Sequence, residues 1–379
     1  WMNEFFPAAQ VPANDRCDTA TDVATIAGTA HVGAGLLGTS IGLALRARGV
    51  EVAIEDASPA NEKLAIDYGA GRRALAGDAP SLIVVCVPPD VTARVVAAEL
   101  VAHPHAVVTD VASVKGSILE SLESRGINLS NYVGSHPMAG RERGGAVAAR
   151  ADLFTGRAWI VCTRAGVSDA AVLAVRALAE TCGANIIELG TEDHDSAVAL
   201  VSHVPQIVSS AVASSLVGAR DDYVTLAGGG LRDVTRIAAS DPTLWIQILT
   251  ANSDDVAGVL RGIRDRLDTV LSALDAGAAT AVLADLLAAG NSGVARIPGK
   301  HGNSAQFAQI LVIIDDTPGQ LAKLLTEIGE LGVNMEDLRL EHSPGSQVGF
   351  AEVSVIPSAE DELVAALEAR GWRIAGEGR

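Results

Sequence analysis

Gly33-Ala34-Gly35-Leu36-Leu37-Gly38, running directly into Ile41-Gly42-Leu43-Ala44-Leu45, is the stretch on which the fold turns. Glycines in the spacing GxGxxG permit a tight turn and let backbone amides approach a pyrophosphate, which then sits at the positive end of the following helix. Gly33, Gly35 and Gly38, with the backbone of Leu36 and Leu37, are the candidate contacts. The motif alone is weak, and the strand before it is short, with Ala30, His31 and Val32 in place. A glycine-rich turn without a ligand is the competing reading.

The next segment strengthens the ligand reading. Val52-Ala53-Ile54 is a strand that ends on Glu55-Asp56, about 20 residues past the glycines, where a carboxylate bonds ribose hydroxyls and repels a 2′-phosphate. NAD is therefore expected over NADP. Asp56 keeps an Asp-x-x-Pro spacing to Pro59 and is preferred over Glu55 as the ribose ligand. Leu82-Ile83-Val84-Val85-Cys86-Val87-Pro88-Pro89 reads as a buried strand stopped by prolines, which places Val87 and Pro88 beside the nicotinamide half of the cofactor.

From Thr21 to Ile187, short β-branched runs alternate with Ala/Leu stretches, the pattern of a parallel, doubly wound (Rossmann-type) sheet with crossover helices. Strands are expected at 30–32, 51–55, 82–87, 106–110 and 159–162. From Glu188 to about Leu287 the strand signal gives way to Ala/Val/Leu helices, apolar over too wide an arc for a monomer surface, so a homodimer is expected. Ala288 to Ser304 reads as a linker.

Beyond it, strand, helix, two strands, helix and strand spell βαββαβ. Leu321, Leu324, Leu325, Ile328 and Leu331 share one face of its first helix, and Thr317-Pro318-Gly319-Gln320 has the spacing of a capping box. Three domains are expected: 21–187 binding the dinucleotide, an all-α domain over 188–290 for substrate and dimerisation, and 306–379 as a small α/β module.

Of the 379 residues, 49% are hydrophobic and 20% charged, an ordinary globular balance. The formal charge of −18 repels nucleic acid and anionic membranes, so an anionic ligand needs a local Arg/Lys cluster. No stretch reads as apolar for the ~18 residues that span a bilayer. Trp1 to Ala20 lacks the basic start and apolar run of a secretory signal, so a cytoplasmic protein is expected. Cys17, Cys86, Cys162 and Cys182 form no CxxC pair and read as buried small hydrophobes; no metal is expected.

Asp110-Val111-Ala112-Ser113-Val114-Lys115 and Gly134-Ser135-His136-Pro137-Met138-Ala139-Gly140 follow at strand ends, where ligands of open α/β sheets bind. A lone loop His is usually a solvated side chain, but Pro137 and Gly140 fix the backbone around His136, and an imidazole suits proton removal near neutrality. The helical region carries His194-Asp195, Ser202-His203-Val204-Pro205-Gln206 and Gly228-Gly229-Gly230-Leu231-Arg232-Asp233-Val234-Thr235-Arg236. Arg232 and Arg236, four apart on one helix face behind a triple glycine, suit a carboxylate.

These segments resemble the prephenate dehydrogenase family, which includes arogenate and cyclohexadienyl dehydrogenases; the likeness spans roughly 30–260. The resemblance implies oxidative decarboxylation of prephenate to 4-hydroxyphenylpyruvate with NAD in tyrosine biosynthesis, or of arogenate to tyrosine. It makes His136 the base on the ring 4-hydroxyl and Arg236 the grip on a carboxylate. It also puts Ser113 and Lys115 along the pocket, with Glu142 near its entrance and Trp245 near the substrate side chain. His203, Gln206, Gly229, Arg232 and Asp233 complete the implied substrate contacts. Gln206 stands where several prephenate-using relatives carry a second His, which leaves the choice of substrate open.

The C-terminal segment resembles an ACT domain, through Asp316-Thr317-Pro318-Gly319-Gln320-Leu321 and Gly332-Val333-Asn334-Met335-Glu336-Asp337-Leu338. That resemblance implies allosteric binding of an aromatic amino acid. A β-hydroxyacid dehydrogenase relies on a Lys in its helical half, and this chain has none between Lys115 and Lys300. A non-catalytic amino-acid-binding regulator would not need base, anion clamp and cofactor turn together.

Overall fold

A computed structural model describes residues 29–140, 144–297, 307–342 and 348–375. Cys17 and Glu142 lie outside them. Strands β1 (Thr29–Val32), β2 (Val52–Glu55), β3 (Arg72–Arg73), β4 (Leu82–Val85), β5 (Val107–Asp110), β6 (Tyr132–Pro137), β7 (Ala158–Cys162) and β8 (Asn185–Leu189) form one sheet in the order β3-β2-β1-β4-β5-β6-β7-β8. The strands from β1 to β6 pair in parallel. All four residues of β4 are buried, as a sheet covered on both faces requires. The helices accompanying the sheet are α1 (Leu36–Ala47), α2 (Pro59–Asp67), α3 (Pro89–Ala102), α4 (Gly116–Glu123) and α5 (Asp169–Thr181). Strand order reverses between β1 and β4, which opens a crevice at their carboxyl ends.

Three strands escape the sequence reading, and the sheet is mixed rather than all parallel. β7 runs antiparallel to β6, with His136 opposite Ile160, and β8 runs parallel to β7. β6 is hidden by Gly134 and Pro137, both poor strand residues, so His136 lies within a strand and not in a loop. Gly134 has a steric reason: a Cβ there would stand 2.9 Å from Cδ of Lys115.

Downstream come α6 (Thr191–Val198), α7 (Val204–Ser214), α8 (Asp221–Val224), α9 (Gly229–Thr235), α10 (Pro242–Ala251), α11 (Ser253–Asp275) and α12 (Thr280–Val294). A π-helical turn, Ala199–His203, joins α6 to α7. The combined helix Thr191–Ser214 is long and apolar enough to cross a membrane by length and composition, which corrects the expectation that no such stretch exists. Its buried His194, Asp195, His203 and Gln206 argue for a protein core, since a lipid-facing helix excludes such groups. α12 also corrects the linker reading over 288–294: Ala288 and Ala289 sustain the helix through Gly290 and Gly293.

Two compact units divide the chain. Of the described residues, the first takes those up to Ala211 with Ile237–Arg261, and the second Val212–Arg236 with those from Gly262 on. In the first, Ile248 is buried and Trp245 partly buried, in one cluster with Ile83, Val85, Val108 and Leu122 of the sheet and its helices.

In the second unit, β9 (Ala308–Asp315), α13 (Gln320–Glu330), β10 (Asp337–His342), β11 (Val348–Val355), α14 (Glu360–Ala369) and β12 (Arg373–Ala375) realise βαββαβ. The sheet order is β10-β11-β9-β12, antiparallel throughout. Ile310, Val312, Leu324, Ile328, Val353 and Leu363 fill its core. The capping box does not form. Gly319, at φ 91°, is the residue before the helix, and Thr317 contributes its carbonyl, which accepts from the Gln320 N–H at 3.3 Å. Only glycine adopts that left-handed conformation at low cost, and it carries the chain past the geometry a Thr cap needs.

Candidate active site

The glycine turn is pressed between two neighbours. Gly33 takes φ 99°, and a Cβ on it would lie 2.2 Å from the Cys86 carbonyl oxygen and 3.0 Å from Val87 Cγ1. A Cβ on Gly38 would lie 2.2 Å from the Gly33 carbonyl oxygen, so α1 needs glycine there to reach the turn. Around Gly35 the space is open to 4 Å, and α1 starts without a side-chain cap. Uncapped first-turn amides beside open space suit an anionic pyrophosphate. Leu36 and Leu37 lend their side chains to the core, leaving their backbones to face a ligand.

Asp56 stands at the same turn. Its carboxylate accepts from the Ala34 N–H and, at 2.8 Å, from the Ser58 N–H. Glu55 accepts from the Gly33 N–H through its carbonyl at 2.8 Å, while its side chain is exposed. Of the two acids, Asp56 is the one whose side chain is built into the turn. Pro88 precedes α3 and accepts from the Thr92 hydroxyl at 2.9 Å, fixing the loop that carries Val87.

A second group of residues gathers beside β6. His136, 9% exposed, places Nδ1 2.9 Å from Nε2 of His194, and His194 Nδ1 lies 2.7 Å from Asp195 Oδ1. Asp195 also accepts from the backbone N–H groups of Lys115 (2.9 Å) and Gly116 (2.7 Å), at the start of α4. Asn252 donates to the Asp195 carbonyl at 2.8 Å and to His203 Nδ1 at 3.1 Å, and the His203 ring meets Trp245 edge-on at 6.2 Å. Gln206 lies between the Ser210 and Ser240 hydroxyls, each at 3.5 Å.

Burial drives the titration of this cluster. Desolvation, then His194, Lys115 and His203, hold His136 well below the usual imidazole range. Desolvation likewise lowers His194, against the pull of Asp195, and takes His203 down to about 4. For Asp195, burial alone would raise the carboxyl, but the bonds from His194, Gly116 and Lys115 outweigh it and hold it below its ordinary value. A neutral imidazole is a proton acceptor, so the cluster can run base chemistry.

Lys115 departs from its expected place along the pocket. Its ammonium pairs with Asp110 in full burial, 1% and 0% exposed, and Asp110 also accepts from Tyr132 at 2.7 Å and the Ala112 N–H at 3.0 Å. A cation so placed acts on His136 through its field and is not exposed to a ligand. Ser113 is half-buried three residues past Asp110. Gly229, Arg232, Asp233 and Arg236 belong to the second unit, on α9 and the turn after it. Sequence reasoning noted His194-Asp195 without a role and missed Asp110, Tyr132 and Asn252. The pairing of Asp110 with Lys115 five residues on was the available signal.

Two family profiles match: "Prephenate dehydrogenase, nucleotide-binding domain" over residues 41–188 and "Prephenate dehydrogenase, dimerization domain" over 190–288. The chain is 34% identical to the probable prephenate dehydrogenase NovF of Streptomyces niveus, over 90% of this chain and 97% of that one. Among solved structures it resembles Synechocystis arogenate dehydrogenase (27% identity, TM-score 0.60, 70% of this chain and 98% of that one). It shares the fold of Aquifex aeolicus prephenate dehydrogenase bound to hydroxyphenyl propionate and NAD+ (24%, TM-score 0.65, 71% and 98%). With nucleotide turn, buried imidazole and full-length likeness together, the chain belongs to the prephenate dehydrogenase family.

Proposed function

We propose that this protein oxidises prephenate to 4-hydroxyphenylpyruvate and carbon dioxide with NAD, and that His136 is the base. The observation that carries the reading is a nearly buried His136, its imidazole held below its ordinary range by burial, at the carboxyl end of β6 and in the same unit as an open, uncapped glycine turn. Gly33, Gly35, Gly38 and the backbones of Leu36 and Leu37 hold the pyrophosphate, Asp56 the ribose, and Val87 and Pro88 flank the nicotinamide. When bound, NAD supplies the acceptor for the hydride.

His136 takes the proton of the ring hydroxyl as the hydride leaves the same carbon. The ring carboxylate departs as carbon dioxide, its bonding electrons aromatise the ring, and the proton returns to the phenolate oxygen. Arg236 is assigned a substrate carboxylate, and Ser113, His203, Gln206, Trp245, Gly229, Arg232 and Asp233 are each assigned substrate contacts, as is Glu142, which lies outside the described residues. Arg236→Gln raises KM more than it lowers kcat, because a carboxylate is held in ground and transition states alike; steady-state kinetics reads the split. Initial rates on prephenate and arogenate with each cofactor test the substrate assignment, and faster turnover of arogenate would overturn it.

The protein acts as a homodimer through residues of the 188–290 region. The strand order of the second unit's sheet supports reading 306–379 as an ACT domain for an aromatic amino acid. Tyrosine should change the rate of the full chain and leave a chain ending at Ile297 unaffected. Equal responses in both would remove the effector role.

A further inference from the structure

We infer that His194 and Asp195 are positioning residues that fix His136 in the tautomer with its proton on Nδ1, leaving the lone pair on Nε2 for the substrate hydroxyl. The role presupposes His136 as the base of prephenate oxidation. It follows from counting donors along three side chains whose partners leave little choice.

Asp195 comes first. Oδ1 receives the Lys115 N–H and Oδ2 the Gly116 N–H, so the carboxylate is seated in two backbone donors at the start of α4. The seat is built for it: a Cβ on Gly116 would stand 2.9 Å from Asp195 Oδ2. From the other side Asn252 donates to the Asp195 carbonyl, so the backbone of this residue is held as well. An ionised carboxylate accepts only, and the 2.7 Å approach of His194 Nδ1 to Oδ1 must therefore be an N–H donated by the imidazole.

His194 is wholly buried, and a neutral ring with its proton on Nδ1 has a bare Nε2. Nδ1 of His136 lies 2.9 Å from that nitrogen, so it must be the donor. The run of bonds thus has a single direction, from His136 through His194 to Asp195. A charged His194 would donate from Nε2 as well, reverse the first bond and put the proton of His136 on Nε2, where the ring could no longer accept. Burial disfavours that state.

During the reaction the hydroxyl O–H bond breaks and a bond from the proton to Nε2 forms. The resulting imidazolium keeps its Nδ1–H on His194, which stays anchored on the Asp195 carboxylate. The pair therefore sets the tautomer before the step and steadies the positive charge during it. A merely space-filling side chain at position 194 would do neither.

Nitrogen-15 NMR of histidine-labelled wild-type protein tests this without any turnover. The expected spectrum assigns His136 a protonated Nδ1 and a bare Nε2, and His194 the same tautomer. A proton on Nε2 of His136 overturns the proposal, even if prephenate is oxidised. Lack of turnover with an Nδ1-protonated His136 would instead count against the substrate assignment and leave the positioning intact. In His194→Leu, kcat should fall about tenfold to a hundredfold with NAD affinity and KM unchanged, and His136 should give a mixture of tautomers. His194→Gln, whose amide oxygen accepts from Nδ1, should restore most of kcat. Full kcat and an unchanged His136 tautomer in His194→Leu would overturn the proposal.

Discussion

The glycine turn after β1 and the histidine cluster beside β6 stand in one unit and are made in different ways. The turn is assembled from neighbours in sequence: Gly33 and Gly38 are packed too closely for any side chain, Gly35 borders open space at the uncapped start of α1, and a single distant carboxylate, Asp56, braces the turn. The cluster joins side chains 58 and 80 residues apart, His136 to His194 and the Lys115 backbone to Asp195, and nearly every polar atom in it has a protein partner. An open set of donors waits for a ligand; a closed set fixes a proton. The comparison teaches that the same sheet end supplies binding by leaving groups unsatisfied and catalysis by satisfying them.

The largest effect that would sharpen this contrast lies under the cluster. Lys115→Met leaves Asp110 without its cation in a fully buried position and should destabilise the fold by about 3–5 kcal/mol in denaturant unfolding. A loss below about 1 kcal/mol would mean that Asp110 is rescued by Tyr132 and the Ala112 amide. Next comes the base: His136→Asn should cut kcat by about a hundredfold or more while NAD titrates as in wild type. Unimpaired turnover removes His136 from the chemistry.

The turn separates by position. Gly38→Ala forces a methyl towards the Gly33 carbonyl and should cost about 1–3 kcal/mol of stability along with NAD affinity. Gly35→Ala meets no protein atom, so its unfolding midpoint should match wild type and only NAD titration should weaken. Equal losses of stability in the two variants would break the distinction between a packed and an open glycine.

The smallest effect is a pH dependence. His136, His194 and His203 all sit below their unfolded values, His203 falling from 6.5 to about 4. The unfolded chain binds more protons between those limits, so stability is full above about 6.5 and declines as the pH falls towards about 4. Thermal unfolding across that range checks the sign, and a midpoint rising on acidification would contradict it.

How much of this was legible in the sequence follows the same division. The turn, β4 and the βαββαβ pattern are local, with hydrophobic period and glycine spacing carrying them. β6 was invisible because Gly134 and Pro137 look like a loop, and its strand geometry comes from pairing with β5 and β7. Lys115 reads as an anion ligand: the nearby Asp110 is a local signal for a pair, but the full burial of Lys115 depends on its stem passing over the distant Gly134. Asn252 had no signal at all, since both its partners are 49 or more residues away.

The central claim is that this chain couples hydride loss to decarboxylation on one substrate. Purified protein with NAD and prephenate should release carbon dioxide and reduced nicotinamide in equal amounts, together with 4-hydroxyphenylpyruvate, and His136→Asn should abolish all three while still binding NAD. Reduced nicotinamide without carbon dioxide, or no turnover of prephenate at saturating NAD, would contradict the account.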